Sequence, residues 1–439
     1  MLSTVFVAIF KCDDCERNRY SAMGMTIIEK ILARAGGLPS VRPGDLVVVD
    51  VDTVVLFDSS FFPVDWRDVR KVADPNRLVV AYDHRVPAPN RACAEAQVIG
   101  REFVKRFGIK RFHDVGFDQG IAHVIVADKA YALPGTVLVC QDSHTGSAGA
   151  LNCAARGVGA PDMIYATCTG KTWFEVSPTV RYDLDGALPR GVVTKDVFLH
   201  LATRYGDHNG QNIEFGGPGL ASLSIPARRT IATMGTELNA NFSTFEADEV
   251  LLAYLKERNA GPFKAQAPDT DAVYLDKRRI DLDAMQPLVA RPDAVINNAF
   301  PVSEVAGEHI DQAFIGSCAN GNLEDLAIAA EVLAGRRVAE GTRLIVTPGT
   351  QEIYRQALKL GYVETLVSAG AIVTNATCGA CGGGHLGVLG PNEVCITAST
   401  RNYKGRMGDP SARIYMASPA TVAASAVAGK IAHPGEFLF

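Results

Sequence analysis

The chain has 439 residues, of which 47% are hydrophobic and 21% are charged, and its formal net charge is −5. This length predicts two to four domains, since single domains run to about 100 to 200 residues. This composition and the small net charge are typical of a globular enzyme. Proteins that bind nucleic acid or membrane surfaces usually carry a strong excess of one charge, so we predict neither partner.

The sequence pattern of the first residues differs from that of the rest of the chain, and we predict an N-terminal extension over residues 1–24. Its apolar stretch, MLSTVFVAIF, is too short to span a bilayer and precedes no convincing cleavage site, which predicts a cytoplasmic protein. The next stretch, GMTIIEKILARAGG, has the apolar spacing of a helix that ends at paired glycines.

Strand and helix patterns then alternate in two parts of the chain. DLVVVDVDTVVLFD, RLVVAYDH and GTVLVCQDSH read as strands around a helical stretch, which predicts an α/β domain at 25–175 with a mainly parallel sheet. The sequence pattern changes after residue 175, and this change predicts a second α/β domain at 176–292. The poorly periodic stretch 260–309 is predicted to be a surface connector. A third α/β domain, 293–439, repeats the alternation.

Polar residues follow three of the predicted strands at their carboxyl ends, the edge of a parallel α/β sheet where ligands bind. The first strand is followed by Asp83 and His84, and the second by the stretch DSHT at 142–145. The third is followed by Ser317, Cys318 and Asn320. One such pair is usually structural, but three together favour a functional site.

Ten cysteines spread over a chain of this length do not indicate a disulfide scaffold. Two C-x-x-C pairs stand out, Cys12/Cys15 and Cys378/Cys381. Together they could form a zinc site, although zinc ribbons keep their pairs about 15 to 20 residues apart. An iron–sulfur cluster suits the second pair better, because the bare glycine backbone of TCGACGGGHLG can approach and hydrogen-bond to sulfide. A buried pair in a glycine-rich turn is the third interpretation.

Several stretches in order, from Met25 to Phe439, resemble the aconitase superfamily, and most closely the large subunit of the 3-isopropylmalate dehydratase and homoaconitase type. The matching stretches include DHRVPAPN, QDSHTGSAGAL, FIGSCANGNLEDL and CGACGGGHLGVLGPNEVCITASTRNYKGRMGDP. The resemblance implies a three-domain α/β core with mainly parallel sheets flanked by helices, lacking the swivel domain. It also implies a hydro-lyase that removes and re-adds water.

The implied cofactor is a 4Fe-4S cluster held by Cys318, Cys378 and Cys381, with one iron not ligated by cysteine. An iron with open coordination positions can act as a Lewis acid on a substrate hydroxyl. Cys12 and Cys15 have no counterpart in the family pattern, and we expect no role for them.

The resemblance also assigns the residues that act on the substrate. Asp83 and His84 match the pair that donates a proton to the leaving hydroxide. Further matched positions that line the cluster and substrate are Asp142, Ser143, His144, His123 and Glu214. From the residues alone, His123 in GIAHVIV would be a core histidine on an apolar strand. Arg401 and Arg406 match arginines that hold substrate carboxylates with paired hydrogen bonds.

In the family, the base that removes the proton from carbon is a serine on a small swivelling domain, either fused or carried by a separate subunit. The chain stops soon after the third domain, so we predict a separate small subunit that carries this serine. The expected substrate is a small hydroxy di- or tricarboxylic acid, 3-isopropylmalate/2-isopropylmalate first. Homoaconitate, 2-methylmalate/citraconate and dimethylmalate are the alternatives.

The chain departs from the family pattern at residues expected near the substrate. Phe57 replaces the histidine and Ser60 the threonine of a His-Asp-x-Thr motif, and Thr400 replaces an asparagine. These changes favour a divergent member and leave another substrate open. They also leave open a different class of function, a non-catalytic regulatory protein that binds zinc or a cluster.

Overall fold

The computed structural model describes residues 24–64 and 66–438. Almost all of the predicted extension 1–24, including Cys12 and Cys15, therefore lies outside the described residues. The structure has a mixed α/β architecture with mainly parallel sheets, as predicted.

The first helix begins and ends where the sequence predicts. Thr26 and Glu29 form a capping box at its start, and Gly37, in the left-handed region, ends it. The elements of this first part are α1 (Ile27–Gly36), β1 (Leu46–Asp50), β2 (Thr53–Phe57), β3 (Leu78–Ala81), α2 (Arg91–Phe107), β4 (Arg111–His113), α3 (Ala122–Asp128), β5 (Val137–Cys140), β6 (Ala154–Gly157), α4 (Ala160–Thr169) and β7 (Lys171–Glu175).

Five strands of this part form one parallel sheet in the order β4-β3-β2-β5-β6, while β1 and β7 pair separately as an antiparallel ribbon. The prediction of a strand at GIAHVIV is wrong, because α3 occupies this segment. Residues Ala122 to Ala127 are all buried, so the segment shows no exposed face from which a helical period could be read.

The second part of the chain also forms a parallel sheet. Its elements are β8 (Thr179–Asp185), α5 (Thr194–Arg204), β9 (Asn212–Gly216), α6 (Ile225–Met234), β10 (Ser243–Phe245), α7 (Glu249–Glu257) and β11 (Asp276–Asp281). The strand order of the sheet is β10-β9-β8-β11. Its core joins aromatic and aliphatic side chains of the sheet to those of α5 and α6.

The third part is built on a seven-stranded sheet. Its elements are β12 (Leu288–Ala290), β13 (Ala299–Pro301), β14 (Gln312–Ile315), α8 (Ser317–Asn320), α9 (Leu323–Leu333), β15 (Arg343–Val346), α10 (Gln351–Lys359), α11 (Tyr362–Ser368), β16 (Ile372–Val373), β17 (Val394–Thr397), β18 (Arg413–Ala417) and α12 (Pro419–Ala428). The strand order is β13-β12-β18-β17-β14-β15-β16. The strands from β14 to β18 run parallel, and β12 is antiparallel to both of its neighbours.

The stretch 260–309 is more than the predicted connector. It contains β11, which pairs with β8, and β12 and β13, which join the third sheet. β11 has the sequence DKRRID and is mostly exposed, so it lacks the apolar alternation by which a strand is recognised. The division at 25–175, 176–292 and 293–439 stays a prediction.

Within the described part of the chain, none of the helices has both the length and the apolar character that crossing a bilayer requires.

Candidate active site

Two acidic residues meet one histidine at the carboxyl edge of the first sheet. Asp83 and His84 follow β3, and Asp142 follows β5; both strands are neighbours of β2. Nδ1 of His84 lies 2.6 Å from Oδ1 of Asp83, and its Nε2 lies 3.4 Å from Oδ2 of Asp142. The imidazole is thus held between two carboxylates at the predicted ligand-binding edge.

Asp142 is the centre of this network. Its side chain accepts a hydrogen bond from the backbone N–H of His144 at 2.7 Å and so caps the turn Ser143–Leu151. The same carboxylate oxygen lies 2.8 Å from Nε2 of His123. His123 comes from α3, so one carboxylate joins two elements and two imidazoles.

A second branch extends the network to Arg401. Nε2 of His144 lies 3.0 Å from Oε1 of Glu237, and Nε of Arg401 donates to the same oxygen at 2.7 Å. Arg401 also donates from Nη2 to Oγ of Ser143 at 2.8 Å. The guanidinium is therefore fixed by two partners from different parts of the chain.

These contacts perturb the protonation of His84 and Asp142. Burial alone would lower the pKa of His84, but Asp83 and Asp142 hold it well above its ordinary value. Burial would raise the pKa of Asp142, but His123, His84 and His144 hold it well below its ordinary value. A protonated imidazole and an ionised carboxylate therefore stabilise each other near neutral pH.

Asp83 connects this network to the cysteine loop. Its carboxylate accepts the N–H of Ala122 at the start of α3, at 2.9 Å. Its main-chain carbonyl accepts the N–H of Cys378 at 3.0 Å and the hydroxyl of Thr377 at 2.6 Å. Residues almost 300 positions apart in sequence thus share one backbone group.

The structure brings the three predicted cysteines together, all of them buried. Glycines in their two loops pack on the same neighbours. A Cβ added at Gly316 or at Gly379 would lie within 3.1 Å of both Phe314 and Thr347. The side chains of Cys378 and Cys381 are hydrogen-bonded to each other. After burial, the charge of Cys381 is the next cause that raises the pKa of Cys318.

The environment of Cys381 favours a thiolate. Its sulfur interacts with Cys378, lies 3.4 Å from Oγ1 of Thr400 and accepts from Nη2 of Arg406 at 3.8 Å. The hydrogen bond from Cys378 and the charge of Arg406 hold the pKa of Cys381 well below its ordinary value. Hydrogen bonding to Cys381 and burial raise the pKa of Cys378, and burial raises the pKa of Cys318.

The donor set and its surroundings fit an iron–sulfur cluster. Three buried cysteines that interact electrostatically lie beside a backbone that turns through the left-handed region at Gly383, where an added Cβ would lie 2.7 Å from a carbonyl oxygen. Next to Cys318, the buried Oγ of Ser317 and Oδ1 of Asn320 have no hydrogen-bond partner among the described residues. Buried polar atoms of this kind need a partner, which a cluster and its ligands would supply.

Glu214, which the resemblance assigned to the site, makes its hydrogen bonds with residues outside the Asp142 network. The carboxylate of Glu214, on β9, accepts the N–H of Ile27 at 2.8 Å and pairs with Nη1 of Arg181 at 2.8 Å. It also accepts the hydroxyl of Tyr274. Among the described residues, none of these hydrogen bonds reaches the Asp142 network, so the contacts of Glu214 join α1 to the second sheet.

Glu237, the partner of His144 and Arg401, was not predicted from the sequence. It lies in the turn Gly235–Leu238 after α6, in the stretch ATMGTEL. An acidic residue just after an apolar helix was the available signal, but nothing in the sequence indicates which distant basic groups it contacts.

Lys195 was also missed. It is fully buried on α5, and its Nζ donates to the carbonyl of Ser399 at 2.9 Å. Burial lowers the pKa of Lys195 to about 8, opposed by the charges of Cys318 and Asp325. In the sequence, a lysine beside an aspartate reads as a solvated pair in the first turn of a helix.

The departure at Phe57 is also visible at the site. Phe57 ends β2, and its ring centroid lies 4.8 Å from that of His84, with the two planes tilted by 40°. The next residue, Asp58, is buried and accepts the backbone N–H groups of His84 and Arg85 at 3.2 and 2.6 Å. Burial and the charge of Asp83 raise the pKa of Asp58 to about 6.

Comparison with known proteins places this geometry in a family. A model of the aconitase family (aconitate hydratase) matches residues 70–307 and 294–429. The chain is 53% identical to a 3-isopropylmalate dehydratase large subunit of Mycolicibacterium smegmatis, over 93% of this chain and 96% of that protein.

Two relatives from Methanothermobacter thermautotrophicus are each 41% identical over 94% of this chain. One is a probable 3-isopropylmalate dehydratase large subunit, of which all is covered, and the other a probable methanogen homoaconitase large subunit, of which 98% is covered.

Proposed function

The chain belongs to the aconitase family and is a hydro-lyase, and from this premise we propose that it is the large subunit of an enzyme that interconverts 3-isopropylmalate and 2-isopropylmalate. The reaction removes water across a carbon–carbon bond and adds it back in the opposite sense. The observation that carries the proposal is a group of three buried cysteines of which one, Cys378, is hydrogen-bonded through its main chain to Asp83, in a chain 53% identical to a protein of that name.

Homoaconitate is the second candidate substrate. The two methanogen relatives, one of each type, are equally similar to this chain at 41% identity. Identity at that level therefore does not show whether the substrate carries an isopropyl or a carboxyalkyl substituent. The higher identity of the mycobacterial relative favours the isopropyl substituent.

The family implies a 4Fe-4S cluster, and Cys318, Cys378 and Cys381 would hold it. With three protein thiolates, one iron would lack a cysteine ligand and would supply a Lewis acid for the leaving hydroxyl. The unpartnered Oγ of Ser317 and Oδ1 of Asn320 beside Cys318, within the described part of the chain, support this assignment.

His84 is the proposed proton donor to the leaving hydroxide. Asp83 fixes Nδ1 at 2.6 Å, and the longer 3.4 Å contact of Nε2 with Asp142 leaves the proton on that nitrogen available. Because both carboxylates hold the pKa of His84 above its ordinary value, the imidazole carries this proton at neutral pH.

Arg401, Ser143 and Arg406 are the proposed carboxylate-binding residues. Arg401 is held by Glu237 and Ser143 through Nε and Nη2, so its orientation is set before substrate arrives. Arg406 reaches the Cys381 sulfur, and its buried Nε has no hydrogen-bond partner among the residues described. That unpaired donor beside the cysteines suits a substrate carboxylate.

We further propose that a separate small subunit carries the swivel domain and the serine that takes the proton from carbon. The support is that the relatives covered over nearly their whole length are named large subunits.

The test is to purify the full chain under anaerobic conditions and assay it with and without such a small subunit on 3-isopropylmalate, homoaconitate and 2-methylmalate. We expect turnover with the small subunit present, with 3-isopropylmalate preferred, and little without it. A His84→Gln variant with the same iron and sulfide content is the matched control. Full turnover by the chain alone would contradict the partner, and an iron-loaded complex inactive on all three acids would contradict the function.

A further inference from the structure

A cavity of about 290 Å³ opens beyond the carboxyl ends of β5 and β6. Ser143 and Gly157 lie on one wall, and Asn241 and Ser243, at the start of β10, lie on another. The volume suits a small organic molecule, and the position is the ligand-binding edge of a parallel sheet.

Arg156 is the one charged residue among the described residues that line this cavity, and no carboxylate lines it. The other polar side chains of the wall are neutral: Ser143, Asn209, Thr236, Asn239, Asn241 and Ser243. Amide and hydroxyl groups can donate hydrogen bonds to an anion without opposing its charge, so the lining selects for a negatively charged ligand.

The guanidinium of Arg156 is held in place but keeps free donors. Its Nη2 donates to Oδ1 of Asn241 at 2.6 Å, and its centre lies 5.8 and 5.7 Å from the ring centroids of Phe174 and Phe242. Among described residues it has no ion pair within 4.0 Å. The acidic charge that acts on it is that of Glu175, and Arg156 also lines a neighbouring cavity together with Glu175 and Asp162. A preorganised guanidinium with unused N–H groups is a favourable receptor for an oxyanion.

A second polar group of the wall also lacks a partner. Oγ of Ser243 is buried and makes no hydrogen bond within the described part of the chain. The wall therefore keeps hydrogen-bonding capacity that the protein does not satisfy itself.

The cavity shares Ser143 with the candidate active site. Ser143 accepts the hydrogen bond of Arg401 through Oγ and that of Thr236 through its carbonyl, at 2.8 and 2.7 Å. Since Ser143 and Thr236 both line the cavity, a ligand there contacts the residues that orient Arg401.

We propose that this cavity binds a small organic anion through a carboxylate or phosphate group held by Arg156, and that the bound anion changes substrate binding through Ser143 and Arg401. The binding is independent of the proposed hydro-lyase reaction, whereas the effect on substrate rests on it.

The binding test is calorimetric titration of the full chain with succinate and, separately, with inorganic phosphate, in a buffer free of other oxyanions. We expect a binding event that persists in Arg401→Gln, where the proposed substrate site is weakened, and that weakens at least about tenfold in Arg156→Gln. The tighter of the two ligands identifies the anion class. Arg111→Gln is the matched control, because Arg111 also lies over an aromatic ring, that of Tyr131 at 4.7 Å, and should bind as the wild type does.

Asn241→Asp is the second variant, because it keeps Arg156 but places a carboxylate beside it, and it should weaken binding to a similar extent. A melting temperature within the range of the control shows that each variant is folded. The proposal is overturned if neither anion binds at concentrations up to about 10 mM, or if binding survives both Arg156→Gln and Asn241→Asp. In the active complex, the bound anion should change KM and leave kcat nearly constant. An unchanged KM would refute the proposed effect of the anion on substrate binding.

Discussion

The Asp142 network and the cysteine group meet at Asp83 but differ in how far the protein completes them. Around Asp142, carboxylates and imidazoles pair with each other within 2.6 to 3.4 Å. Around Cys318, the buried thiols influence one another electrostatically, and the neighbouring Ser317 Oγ and Asn320 Oδ1 have no partner among the described residues. The polar groups around Asp142 therefore find their partners within the protein, whereas the polar groups around Cys318 need a partner that the protein does not supply.

The largest effect should come from removing one thiol. Cys318→Ser leaves two cysteines, so we expect the chain to lose its cluster absorbance and bound iron and its turnover to fall by more than about a thousandfold. Cys93→Ser, at a buried cysteine on α2, is the control and should keep its iron. The comparison of the two regions would fail if Cys318→Ser kept a full complement of iron.

His84→Gln should separate the two regions cleanly. Loss of a positioned proton donor lowers kcat by about 10² to 10⁴, while iron and sulfide content stay at the wild-type level. Turnover and metal analysis of the same preparation check this. A parallel loss of iron would show that the acid–base network also builds the cluster site.

Two glutamates give a matched pair. Glu237→Gln weakens the hydrogen bonds to His144 and Arg401, and we expect kcat/KM to fall about ten- to a hundredfold with little change in Tm. Glu214→Gln breaks a buried ion pair with Arg181, and we expect a loss of about 1 to 3 kcal/mol of unfolding free energy with little change in kcat. Thermal unfolding and steady-state kinetics distinguish them, and the reverse pattern would return Glu214 to the active site.

The smallest effect concerns pH. The raised pKa of His84 means that its contribution to stability is fully present below its unfolded value near 6.5 and is lost as pH rises through the folded value. Because the pKa of Asp142 is lowered, its contribution to stability is present above pH 3.8 and is lost as pH falls through the folded value.

In Asp142→Asn, the alkaline limb of the kcat/KM profile should move to lower pH by about one unit, because one carboxylate no longer favours the imidazolium. An unmoved limb would show that His84 is not the titrating acid.

Sequence patterns predicted the elements that carry apolar periodicity or abrupt polar ends. The capping box of α1 and the strands ending before Asp83, Asp142 and Ser317 are local features, visible in short stretches. The charged strand β11 was missed because its sequence, DKRRID, lacks apolar alternation and its partner β8 is about 100 residues away.

The same limit applies to the site. Side chains at strand ends could be predicted because topology places them at a common edge. Glu237 and Lys195 could not, because their importance lies in contacts across α5, α6 and the third sheet that no local pattern encodes. Glu214 shows the reverse case, a residue assigned by resemblance whose contacts in the structure belong to another region.

The main-chain oxygen of Asp83 receives both the N–H of Cys378 and the hydroxyl of Thr377. A side-chain replacement cannot remove that oxygen, so a substitution of Asp83 removes the carboxylate beside Nδ1 of His84 and still leaves the two loops tethered. Anyone transplanting this chemistry to another scaffold must therefore move both segments as one unit, in their original spacing.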